Sequence, residues 1–285
     1  MIATLVGLVV GAAVAVGLWT TTHDSFAVPA LARTNYRGAP LATGVGVLVP
    51  VAVVLVVAAS YLVEVAGDRP SAWIVLLPTV ATATVGFGLL GLLDDVLGVG
   101  QSGGFRGHLR GVAGGHLTSG AVKLLGGAAL GIVVAAGVRP ADEVVSVLSL
   151  LRDGAVVALA ANLANLFDRA PGRVIKVTTA GFVVAAIVAR TSVMFGPAVA
   201  VGAGLGLLPP DLRERVMLGD AGSNPLGAVC GLAALVAVPA SAWRWVLLLA
   251  LLALNLLSEV VSFSVVIDRV PPLRWLDRAG SLRDA

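Results

Sequence analysis

The chain has 285 residues, of which 58% are hydrophobic and 12% charged, and its mean hydropathy is +0.99. A soluble core of this size needs much less apolar surface, so the composition excludes an ordinary water-soluble domain and points to lipid. The formal charge of +3 implies no nucleic-acid partner, because basic residues in such chains first serve to set topology.

A spanning helix needs about 20 apolar residues. In chain order the expected spans are Ile2–Trp19, Leu41–Ala66, Ala72–Leu93, Gly120–Val138, Gly154–Phe167, Val174–Phe195, Gly196–Leu208, Pro225–Pro239 and Trp243–Ile267. The first stretch has no Lys or Arg ahead of it, unlike a secretory signal peptide, and is read as a true span. Gly202, Gly204 and Gly206 in the seventh allow close helix contact. Cys230 is the single cysteine, which excludes an intramolecular disulfide and reads as a small buried residue. These elements predict one all-α domain over residues 1–285, a polytopic bundle of about nine transmembrane helices.

Cytoplasmic loops retain Lys and Arg. One side collects Arg33, Arg37, Arg106, Arg110, Lys123, Arg169, Arg173, Lys176, Arg213, Arg215, Arg269, Arg274, Arg278 and Arg283. The other holds Arg69, Arg139, Arg152, Arg190 and Arg244. This division predicts an external amino terminus, a cytoplasmic carboxyl terminus, and function on the side with the long loops Thr20–Pro40 and Asp94–Ser119.

Four groups on that side could carry chemistry. The third span ends in Asp94 and Asp95, adjacent carboxylates whose repulsion a divalent cation would relieve; hard oxygen ligands with phosphate suit Mg²⁺. A basic loop follows, with Arg106, His108, Arg110, His116 and Lys123, able to clamp a diphosphate or to read anionic headgroups. Asn162, Asn165 and Asp168 close the fifth span at spacings that share a broad helix face. The asparagines serve equally well to hold neighbouring helices together, while Asp168 with Arg169, Arg173 and Lys176 favours an anion site. Lastly, Leu218-Gly219-Asp220-Ala221-Gly222-Ser223-Asn224-Pro225 reads as a tight turn into a helix. Ser223 or Asn224 is expected as its cap and Pro225 in its first turn, so that free N–H groups face a phosphate beside Asp220. Further on, Asn255, Ser258, Glu259 and Ser262 form a polar stripe on the ninth span. Glu259 is expected inside the membrane, paired with Lys176 or Lys123.

In this order and spacing, Asp94-Asp95, the Gly107-His108 to Lys123 loop, Asn162 to Asp168 and Leu218 to Ser223 resemble the polyprenyl-phosphate N-acetylhexosamine-1-phosphate transferases, relatives of phospho-MurNAc-pentapeptide transferase. The resemblance runs from about Asn35 to Asp277. It implies an enzyme of the cytoplasmic membrane that moves a sugar-1-phosphate from a UDP-sugar to a polyprenyl phosphate, releases UMP and uses Mg²⁺ or Mn²⁺. Residue by residue it implies Asp220, with Asp95, as metal ligands, and Asp94 or Asp95 as the group handling the lipid phosphate. Asn162, Asn165 and Asp168 would line the nucleotide site, with Arg106, His108 and Lys123 on the diphosphate. Arg274 stands in for the family's histidine-rich last loop, and Pro171 replaces a further acid. These departures point away from a pentapeptide-bearing donor. The partners implied are the lipid and the nucleotide sugar, with a homodimer open. A rival reading is an altered relative that binds these ligands in an assembly or regulatory role.

Overall fold

The computed structural model describes residues 1–67, 71–97, 119–139, 146–238 and 242–282. Among the described residues eleven α-helices dominate: α1 (Ile2–Thr22), α2 (Leu48–Ala66), α3 (Leu77–Leu97), α4 (Ser119–Gly137), α5 (Val147–Phe167), α6 (Arg173–Ala189), α7 (Phe195–Leu212), α8 (Asp220–Ala237), α9 (Ala242–Ser258), α10 (Phe263–Arg269) and α11 (Pro271–Arg278). Six of the apolar helices, those at α1, α2, α3, α4, α5 and α7, are long and apolar enough to cross a membrane; α9 with α10 would make a seventh if counted as one span. The chain is therefore a multi-pass membrane protein. Among the described residues, α6 and α8 fall outside this set, so length and apolarity support six or seven spans rather than nine.

The helix ends depart from the sequence reading for local reasons. Helix α5 begins at Val147, where Ser146 accepts the Ser149 N–H at 3.1 Å, and it carries Arg152 and Asp153 within its length. The ninth span is not continuous: α9 and α10 meet at a 92° bend. Glu259 stands exposed in that break. Neither expected partner reaches it, because Lys123 pairs with Asp94 and Asp220 and Lys176 donates to the carbonyls of Leu276, Asp277 and Ala279.

Small residues set the packing. Without a hydrophobic force between helices in lipid, close approach and dispersion must supply the association. Gly7 and Gly11 of α1 lie against Phe195 and Val199 of α7, whose Gly202 and Gly206 in turn accept the backbone of Leu8 and Ala12. Helix α8 is buried along most of its length, with Gly227 and Gly231 set against Ala160, Ala161 and Val157 of α5.

Between α1 and α2 the chain forms a short antiparallel pair, β1 (Ala32–Thr34) and β2 (Pro40–Ala42), with Ala32 opposite Ala42. This strand pair lies within an otherwise helical fold. The Ala42 carbonyl accepts the Met217 N–H at 2.8 Å, and the Leu218 carbonyl accepts the Gly46 N–H at 2.9 Å. The hairpin thereby fixes the segment that leads into α8. At the other margin, α11 is clamped to α6 by a buried pair in which Arg173 donates from Nε and Nη2 to Asp277 at 2.6 and 2.8 Å.

Candidate functional site

The carboxyl end of α3, the start of α4, the end of α5 and the start of α8 meet at one end of the bundle. Their approach depends on glycine. A side chain at Gly91 would sit 2.1 Å from the Asp220 carbonyl, so only glycine lets α3 lie this near the first turn of α8. Gly219, just ahead of α8, has φ +72° and faces Asp95 and Thr43 at distances that leave no room for a Cβ.

Asp94 and Asp95, neighbours in sequence, face different partners. Asp95 accepts the N–H of Asp220 at Oδ1 and of Ala221 at Oδ2, both at 3.0 Å. A helix start leaves four N–H groups without helical partners and carries partial positive charge; here a carboxylate from another helix satisfies two of them. The Gly222 N–H reaches the Gly219 carbonyl at 3.1 Å, and the Ser223 N–H makes the first regular helix bond to the same carbonyl at 3.0 Å. Two of the N–H groups expected to face a phosphate are thus taken by Asp95. The helix also starts earlier than expected: Ser223, Asn224 and Pro225 are buried inside α8 and do not form its cap.

Asp94 and Asp220 converge on a cation supplied by the chain. The Lys123 ammonium donates to Asp220 Oδ2 and lies 3.4 Å from Asp94 Oδ2. The Asn165 amide donates to the same Asp220 oxygen at 3.2 Å. All three charged side chains keep a solvent-facing edge, with exposures of 18% for Lys123, 27% for Asp94 and 20% for Asp220. The group is thus reachable from outside the bundle.

Asp168 follows the last turn of α5. Burial, and then the charges of Asp211, Asp220 and Asp95, hold its carboxyl well above the usual carboxylate range. A cation arriving beside such a group would relieve the cost of its charge.

Two expected members stand apart. Asn162 donates to Asn255 Oδ1 at 2.7 Å, and Asn255 donates to the carbonyls of Leu159 and Leu251. It is a helix-to-helix tie between α5 and α9. Arg274 is exposed on α11, and among the described residues no hydrogen bond or ion pair joins it to the acids. Arg106 and His108 lie outside the described residues. Arg173 and Lys176, expected to hold an anion, are instead engaged with α11.

The structure adds residues that sequence reasoning passed over. Asp211, 5% exposed, accepts the Gly172 N–H at 2.7 Å and so fixes the turn after Asp168. An acid ending an apolar helix was its legible signal. Arg33, from β1, donates to the Asp95 carbonyl at the end of α3. Phe167 and Phe263 stack with centroids 4.9 Å apart and planes 11° from parallel, a contact that needs the α9–α10 bend and has no sequence signature.

Among the described residues no group of three or more His, Cys, Asp or Glu side chains is arranged to hold a metal ion. The donor set is two carboxylates and a carboxamide around an ammonium. Oxygen donors of this kind suit a hard divalent cation that keeps waters or phosphate in its shell. No protein-family model matches the chain. No curated protein matches it in sequence.

Proposed function

We propose that the chain is a membrane-embedded glycosyl-1-phosphate transferase. It takes a UDP-linked amino sugar as donor and a polyprenyl phosphate as acceptor, with the site at the cytoplasmic face of the cell membrane. The observation that carries this reading is the meeting of Asp94, Lys123, Asn165 and Asp220, from four helices, at one end of an apolar bundle. The site brings together two acids, one base and one amide, and it is partly open. The excess of basic residues on that side supports its cytoplasmic placement.

Phosphoryl transfer asks for in-line placement and charge neutralisation more than covalent help. An oxygen of the lipid phosphate forms a bond to the phosphorus that bears the sugar, while the bond from that phosphorus to the bridging oxygen breaks and UMP leaves. Mg²⁺, or Mn²⁺, supplies charge neutralisation when bound. Asp220 and Asp94 would hold it, rather than Asp95, whose two oxygens already serve the start of α8. Lys123, displaced from between the acids, neutralises diphosphate oxygens. Asp168 donates or accepts a hydrogen bond at the nucleotide.

The test is incubation of the purified protein with Mg²⁺, undecaprenyl phosphate and a panel of nucleotide sugars. Release of a nucleoside monophosphate from at least one donor is expected, and its absence from all would refute the enzyme. One observation favours a second reading, that of an altered relative with a binding role: Lys123 already compensates both acids that a metal would use. Its signature would be ligand binding independent of Mg²⁺ and without turnover.

A further inference from the structure

The other end of α5 holds a second charged cluster that the proposed reaction does not use. Asp153, 1% exposed, accepts from three guanidinium groups: Arg152 Nε at 2.7 Å, Arg139 Nη2 at 2.8 Å and Arg244 Nη1 at 2.5 Å. Asp153 precedes Asp168 by 15 positions, about 22 Å along a helix that rises 1.5 Å per residue. The two clusters therefore occupy opposite ends of the bundle.

The three arginines are not equivalent. Arg244 is consumed by the fold, since its Nε and Nη2 also donate to the carbonyls of Val238 and Leu235 at 3.0 and 2.8 Å and close the end of α8. Arg139 Nε is buried without a partner among the described residues. Arg152 donates only to Asp153 among the described residues, and its guanidinium lies 5.4 Å from the centre of the Trp245 ring. The side chains of Arg139 and Arg152 are 10% and 6% exposed.

Among the described residues, three positive charges face one negative in a nearly closed setting, an arrangement that is costly without a further counter-ion. Basic residues on this sparsely charged side have no use in setting topology. Trp243 and Trp245, 68% and 38% exposed, flank Arg244 in sequence, and tryptophan collects at headgroup depth. Guanidinium forks match phosphate oxygens in pairs.

We infer that Arg139 and Arg152 form a phosphate-binding site at this second membrane face, with Asp153 and Arg244 as its frame. The ligand is a phosphate oxyanion, either the headgroup of an anionic lipid or the free ion. The site is independent of the transferase reading and is tested without activity. Full-length protein in zwitterionic detergent is titrated with phosphatidylglycerol, phosphatidylcholine or inorganic phosphate, following melting temperature and lipid retention by native mass spectrometry. Phosphatidylglycerol is expected to bind at least tenfold more tightly than phosphatidylcholine, and R139Q/R152Q to remove that preference. If inorganic phosphate alone gives the same arginine-dependent stabilisation, the free ion is the ligand.

Equal binding of both lipids with no effect of phosphate, or an unchanged preference in the double variant, would overturn the site. Should the double variant fail to fold, the wild-type protein decides. Brominated phosphatidylglycerol must quench tryptophan fluorescence more than brominated phosphatidylcholine at equal mole fraction, and equal quenching overturns the inference. Asp142 and Glu143, in the undescribed stretch beside Arg139, supply the countercharge instead if no anion stabilises the protein and D142N/E143Q destabilises it.

Discussion

Asp95→Asn separates a structural acid from a catalytic one. The carboxylate accepts two N–H groups at the start of α8, each at 3.0 Å, and its charge sits against the positive end of that helix. Asparagine keeps one acceptor oxygen and turns an NH₂ group towards the second N–H. The loss is one charge-assisted hydrogen bond, about 1.5–3 kcal/mol, together with the helix-end charge interaction, about 0.3–1 kcal/mol. A total of about 2–4 kcal/mol is expected, and for a chain of this size that lowers Tm by on the order of 5–10 °C. Melting in detergent, followed by tryptophan fluorescence, measures it; D95E, which retains both acceptors, should recover part of the loss. An Asp95→Asn protein that melts like the wild type yet fails to turn over would refute the cap and return Asp95 to the chemistry.

Other outcomes follow from the same geometry. Lys123→Met removes the ammonium shared by Asp94 and Asp220 and should cost about 2 kcal/mol; added Mg²⁺ should then raise Tm more in the variant than in the wild type, as thermal melts with and without the ion would show. Asp220→Asn should abolish nucleoside monophosphate release while size-exclusion elution is unchanged. Gly91→Ala places a methyl group where the Asp220 carbonyl lies at 2.1 Å, so α3 must withdraw from α8, and both Tm and donor binding should fall. Asp168→Asn should raise Tm at neutral pH. The raised folded pKa of Asp168 means that the native state binds its proton more tightly than the unfolded chain does. Stability is then lost as pH rises from the ordinary carboxylate value, about 3.9, through the raised folded value. The stabilising effect of the variant should therefore vanish on acidification below the ordinary value, which melts across a pH series would reveal.

Apolar runs made the helices legible, because lipid forces every backbone group into internal hydrogen bonds and length then dictates the spans. The acidic and amide positions were legible for a related reason: Asp94, Asp168 and Asp220 stand where polar groups at membrane depth need a purpose. Helix starts were less so. Ser223, Asn224 and Pro225 carry a local cap signature, yet α8 begins at Asp220 because Asp95, 125 positions away, supplies the cap through space. The same limit explains Asn162, whose partner Asn255 lies on α9, and Arg173 and Lys176, whose acceptors lie on α11. Nor does the polar stripe around Glu259 carry any mark of the 92° bend that exposes it.

The cap by Asp95 also ties the site to the fold. Helix α8 is the buried centre of the bundle, and its first residue, Asp220, is the acid on which Lys123 and Asn165 converge. Any shift of α3 relative to α8 moves Asp94 and Asp220 together with the cap, since Asp94 and Asp95 share a helix turn. A ligand that draws Asp94 and Asp220 towards one another would therefore tighten the seam between α3 and α8. The neighbouring acids divide the labour: Asp94 faces the ammonium, and Asp95 holds in place the helix that presents Asp220.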